Sequence, residues 1–309
     1  MNAVRENLGL PLLVALAFLL GFVLHRGSIC AVVASRDLVL QRQPGRLLGF
    51  AEAALIATMV LTAVSAFPRP MPDWADWPLV LLGASMLGVG AFINGACAFG
   101  TIGRIGTGDL GFVSTFAGIF FGGWLARWLY ADATIHAVHP AAAPAVTLLP
   151  ALVLLALVMV LRYRLAGGAT SEFLRVSATM AIVGLVYALL DTAIPDWALA
   201  HAPRYILALA VFPTAIAAAL MIGSIASGLF SGERIRWRWP DRAALFRRAV
   251  GGSLMGAGAM LAPGSNDTLL LSGVPSGAPQ ALVAYVTLSA TIGVLVKRQA
   301  PRQAGPPVT

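Results

Sequence analysis

The sequence predicts an all-α polytopic membrane protein, with about nine transmembrane helices and short re-entrant helices arranged as an inverted repeat. Three observations predict it. Hydrophobic residues make up 59% of the 309 positions and charged residues only 11%, where a soluble domain would carry about a quarter charged. The apolar residues fall in blocks long enough to cross about 30 Å of hydrocarbon. Two of those blocks carry one glycine-spaced motif. Ala84-Ser85-Met86-Leu87-Gly88-Val89-Gly90-Ala91 aligns with Gly252-Ser253-Leu254-Met255-Gly256-Ala257-Gly258-Ala259 at an offset of 168 residues, which carries Cys97 onto Ser265.

Taken in order, the expected spans are 8–25, 46–66, 78–96, 110–130, 145–161, 175–191, 204–226, 248–262 and 279–296. The first lacks a small-x-small cleavage pattern before His25-Arg26, so it reads as a retained helix rather than a signal peptide. Seventeen of the 21 Lys and Arg residues fall in one alternating set of junctions. These include 26–45, with Arg26, Arg36 and Arg42 against Asp37, the junction flanked by Arg162, Arg164 and Arg175, and 227–247. The intervening loops 68–77, 131–144, 192–203 and 263–279 are nearly free of them. With the basic loops inside, the N-terminus lies outside and the C-terminus in the cytoplasm. Trp74, Trp77, Trp124, Trp128, Trp197, Trp237 and Trp239 flank spans or sit in loops, as an interfacial belt or ordinary packing would have them.

The same alternation explains the net charge of +8 as membrane orientation. Aromatics are not interleaved with the arginines as a base-stacking surface requires, so nucleic acid is excluded as a partner. Two cysteines cannot build a disulfide scaffold or a four-thiolate metal site. The histidines at 25, 136, 139 and 201 are scattered loop residues with no zinc-helix spacing. No cofactor, no metal and no enzymatic activity are expected.

The span leading to Cys97 and the span leading to Ser265 cross in opposite directions, so the repeat is inverted, with halves over 8–130 and 175–296 of a single membrane domain 1–309. Irregular backbone at 94–108 and 263–279 is tolerable only where it is buried in protein or lines a wet cavity. An inverted repeat with broken helices points to a transport site between its halves. Gly88, Gly90, Gly256 and Gly258 allow close helix packing ahead of each break. Gly95 to Gly103 is poor in bulk and rich in accessible backbone N–H groups, and a helix terminus there favours an anion.

Cys97 is the leading candidate side chain. A buried Cys is commonly an inert hydrophobe, but this one lies at a polar break beside an expected helix end, which favours negative charge or a thiolate. Cys30 sits comparably just beyond the first span. The two are either successive contacts for a polarisable sulfur ligand or a disulfide, which a cytoplasmic setting disfavours. Asn94, Asn266, Asp267 and Arg104 lie at or near the breaks. Arg104 either pairs with Asp109 or draws an anion inward. Arg36-Asp37 is expected to neutralise the end of a short helix. Glu52, acidic inside a span, is either a proton site or paired internally with an arginine or serine.

On these residues the chain resembles the YeeE/YedE family of sulfur-transport membrane proteins. The resemblance rests on Arg26-Gly27-Ser28-Ile29-Cys30 followed by Arg36-Asp37, on Asn94-Gly95-Ala96-Cys97-Ala98-Phe99-Gly100, and on Gly251–Gly256 leading into Leu261–Asn266. It implies an hourglass of inverted halves in a bacterial inner membrane. Thiosulfate would pass cysteines by transient S–H···S contacts, and a small TusA/SirA-like cytoplasmic sulfur carrier would be a possible partner. Cys97 then matches the central cysteine and Cys30 a flanking one, while the third falls on Ser265. That departure leaves two substrate readings: thiosulfate by an altered route, or a different small anion or sulfur or selenium compound. A scaffold that docks the carrier without conducting is the rival function.

Overall fold

The computed structural model describes residues 9–64, 77–129, 148–166, 170–194, 211–231, 237–262 and 264–303. Trp74, Trp197, His136, His139, His201 and residues 204–210 of the seventh expected span lie outside them.

Each long helix begins or ends where the sequence supplies a reason. Helix α1 (Leu10–Arg26) starts with a proline in its first turn and stops at Gly27. The chain then turns through Ser28, a non-glycine residue at φ 48°, into α2 (Ala31–Gln41), which ends on left-handed Arg42. Pro44 precedes α3 (Gly45–Ala63). Helix α4 (Trp77–Asn94) is stopped by Gly95 at φ 81°, a conformation that costs a residue with a Cβ about 1 kcal/mol or more. Helix α5 (Ala98–Gly106) is short. A 3₁₀ turn over Leu110–Phe112 leads from it into α6 (Val113–Leu129).

Helices α7 (Leu148–Leu165), α8 (Thr170–Ala193) and α9 (Val211–Phe230) follow. Asp241 caps α10 (Arg242–Leu261) by accepting the Ala244 N–H at 2.6 Å. The turn α11 (Asn266–Thr268) widens into a π-helical turn over Leu269–Gly273, and α12 (Pro279–Gln303) is the last described element.

Among the described residues seven stretches are long and apolar enough to cross a membrane, and the twenty-residue α9 is also strongly apolar. Helix α10 differs from expectation. It begins at 242 rather than 248, so Arg242, Arg247 and Arg248 lie within the helix. Arg248 is accommodated by two hydrogen bonds to Asp109, at 2.6 and 2.7 Å, and by the face of Phe112, 4.0 Å from the guanidinium carbon. Trp77, Trp124, Trp128, Trp237 and Trp239 are exposed on the protein surface.

The 168-residue offset extends well beyond the motif. Added to the bounds of α3, α4, α5 and α6, it lands within a few residues of α9, α10, α11 with its π turn, and α12. It places α1 inside α8, and α7 has no counterpart. Packing repeats as well: α10 lies against α6 as α4 lies against α12, and α9 against α1 as α3 against α8. A Cβ on Gly90 would stand 2.6 Å from the Gly251 carbonyl oxygen, and one on its mate Gly258 would stand 2.5 Å from that of Gly83. Gly88 is held the same way, 2.8 Å from the Leu288 oxygen, and Gly256 abuts the Ile119 backbone. These glycines let backbones touch where lipid supplies no hydrophobic drive for association. The fold is an inverted repeat joined through α7.

Candidate functional site

Three residues singled out by sequence, Cys30, Cys97 and Ser265, have one local role. Each is the extended residue immediately before a re-entrant helix or turn. Cys30 precedes α2, Cys97 precedes α5 and Ser265 precedes α11. Cys97 (φ −77°, ψ −178°) and Ser265 (φ −79°, ψ 172°) share nearly the same backbone geometry, as repeat mates should.

The three helix starts converge. The Ala31 N–H, first of α2, donates to Cys97 Sγ at 3.2 Å. The Ala98 N–H, first of α5, donates to Asn266 Oδ1 at 3.3 Å. Both thiols are free and buried, and they are neighbours, since the residue after Cys30 bonds Cys97 Sγ. Their approach depends on Gly100, because a Cβ there would stand 2.5 Å from Cys30 Sγ. Helix N-termini present unpaired N–H groups and the positive end of the dipole. The site therefore joins soft sulfur to a field that favours an anion.

Asn94 fixes the loop around Cys97. Its amide donates to the Ala96 carbonyl at 2.7 Å and to Thr101 Oγ1 at 3.1 Å, while its oxygen accepts from Thr115 Oγ1 at 2.7 Å. The residue is 1% exposed and ties the break at Ala96 to α5 and α6 through the two threonine hydroxyls. The Ser265 hydroxyl donates to the Asp267 carboxylate, which also accepts from Tyr187 at 3.4 Å. The Tyr187 ring meets Phe99 edge to face, with centroids 6.2 Å apart. Among the described residues no three His, Cys, Asp or Glu side chains are clustered to hold a metal ion.

A cavity of about 620 Å³ opens beside Cys30. Its wall carries Arg26, Arg42, Arg46, Arg162 and Arg175 against Asp37 and Glu172, and Ile29, Cys30 and Phe50 also line it. Arg46 pairs with Asp37 at 2.9 Å, so Asp37 is neutralised from α3 rather than by its neighbour Arg36. Glu52 takes the internal pairing. Its carboxylate bonds Arg162 and accepts from Ser177 at 3.3 Å, and Arg162 also donates to Ser177 at 3.1 Å.

The expected Arg104–Asp109 pair does not form. Arg104 is exposed near the C-terminal end of α5, and Asp109 instead neutralises the buried Arg248. Unpaired, Arg248 would leave a costly charge among helices. Sequence reasoning also passed over Asp191, which is 3% exposed and accepts from Ser272 at 2.9 Å. Its position at the very end of an apolar span was the available signal.

A family model described as sulphur transport matches the chain twice, over residues 26–170 and 135–296. No curated protein matches it.

Proposed function

Because the chain belongs to the sulphur transport family, we propose that it imports thiosulfate, or a closely related small sulfur-containing anion, through a constriction formed by Cys97, Cys30 and Ser265. The observation that carries this reading is the pair of unbridged thiols at adjoining helix starts, with the Ala31 N–H on Cys97 Sγ. Thiosulfate bears a polarisable terminal sulfur and a hard oxyanion end, so thiol donors suit one end and N–H groups the other. Passage needs only exchange of S–H···S contacts, and no covalent bond is made or broken. Asn94, Gly95, Gly100 and Asn266 shape the passage, and Arg104 adds charge at its rim.

In this reading the protein lies in a bacterial inner membrane with the N-terminus outside and the C-terminus in the cytoplasm, which puts the arginine-lined cavity inside. A TusA/SirA-like carrier would meet the anion there. Uptake of labelled thiosulfate into proteoliposomes tests the proposal, with sulfite, sulfate and selenite as competitors. Uptake without any carrier is the expected result. A folded protein that conducts nothing would mark a docking scaffold instead. Ser265 in the third thiol position favours a second substrate reading, a related anion, and stronger competition by one of these ions would identify it.

Two variants sharpen the test. Gly100→Ala pushes on Cys30 Sγ and should cut uptake about 10- to 100-fold, the usual penalty for displacing a contact by an ångström. Unchanged uptake would remove the paired thiols from the route. Ser265→Cys restores a thiol at the third position and should keep uptake at or above the wild-type rate. Loss of uptake in a folded Ser265→Cys protein would instead show that the Ser265–Asp267 hydrogen bond is required.

A further inference from the structure

Helix α12 carries two hydroxyls that the site described so far does not use. Tyr285 Oη and Ser289 Oγ are buried and have no hydrogen-bond partner among the described residues. They stand four residues apart and so share one face. Tyr285 is only 6% exposed. A buried hydroxyl left without a partner forfeits its hydration with nothing in return, and such groups are rare enough to require an explanation.

The surroundings of Tyr285 point to a ligand. Its ring meets Phe50, with centroids 6.4 Å apart, and Phe50 and Cys30 line the same arginine-walled cavity. Helix α12 packs against both α2, which Cys30 precedes, and α4, which ends three residues before Cys97. Ser289 lies against α2 farther along, its carbonyl within 3.5 Å of Ser35 Oγ. A phenol on a helix packed against both thiol-bearing segments complements an anion with soft sulfur at one end and oxygen at the other.

We propose that Tyr285 Oη is a specificity-determining donor that bonds an oxygen of the sulfur oxyanion while Cys97 and Cys30 hold its sulfur. This rests on the transport reading above and adds the group that recognises the oxygen end. Without the anion the hydroxyl is unpaired, so its removal should cost the empty protein nothing.

Tyr285→Phe deletes that oxygen and keeps the ring. In proteoliposomes its KM for labelled thiosulfate should rise about tenfold or more, the loss expected for a hydrogen bond to a charged ligand. The melting temperature of the empty detergent-solubilised protein should stay level or rise, and the upward shift caused by added thiosulfate should shrink. A lower melting temperature for the empty variant would show a structural hydroxyl and overturn the assignment. So would an unchanged KM, or a larger effect from Ser289→Ala. Absence of uptake by the wild type would overturn the transport reading and this assignment together. Wild-type uptake that Tyr285→Phe leaves intact would overturn only the assignment.

Discussion

Cys97→Ala should abolish the proposed thiosulfate uptake, by about 100-fold or more, in protein that still folds. The two consequences separate because one sulfur atom is removed from a site that is 1% exposed. The cavity left is small and costs about 1 kcal/mol, whereas the lost contact is the one proposed to hold the anion on its route. The Ala31 N–H also loses its acceptor, which loosens the start of α2. Cys30→Ala should be milder, since Cys30 lines the open cavity and in the proposed route would steer the anion rather than gate it. Initial uptake rates at matched protein density decide the matter. Wild-type rates from a folded Cys97 variant, or a greater loss from Cys30, would sink this ordering of the path.

Arg162→Met should destabilise the protein by about 3–5 kcal/mol, the usual cost of leaving a buried carboxylate without its counter-charge. Glu52 is 1% exposed, and with Arg162 gone it keeps only the Ser177 hydroxyl. The double variant Glu52→Leu/Arg162→Met removes both charges and should recover most of the loss. Unfolding in detergent, followed by circular dichroism, checks both values. The same pair decides what Glu52 does. If it is an internal pair, the folded double variant transports normally. If the double variant folds but loses its response to a proton gradient, Glu52 carries a proton and the structural account of it fails.

The membrane architecture was legible because the bilayer imposes length, apolarity and charge placement on sequence directly. Alternating arginine-rich and arginine-poor junctions gave the spans their order, and the repeated glycines related Cys97 to Ser265 before any coordinate did. Partner choice was harder to read. Arg104 and Asp109 are close in sequence, but an exposed arginine needs no protein partner, while among the described residues the buried Arg248 has Asp109 and the Phe112 ring. Nothing in sequence announces that the first N–H of α2 reaches Cys97, because that contact spans 66 residues. Tyr285 reads as one more aromatic in an apolar helix. Its significance depends on the missing hydrogen bond, a property that only tertiary structure reveals.

Helix α7 contributes almost nothing to the core. Of its residues only Ala151 and Arg162 are buried, and Leu149, Val153 and Leu157 lie on its exposed surface. What it contributes is parity. Helices α1, α3, α4 and α6 form an even set of crossings, so a second half fused directly behind them would enter the bilayer facing the same way as the first. One additional crossing reverses it. Without α7, the loops bearing Cys97 and Ser265 would open on the same side of the membrane and could not confront one another. Its apolar face should therefore tolerate wholesale replacement by any helix of comparable length that keeps Arg162, whereas its deletion would strip Glu52 of its counter-charge and lose the meeting point between the halves.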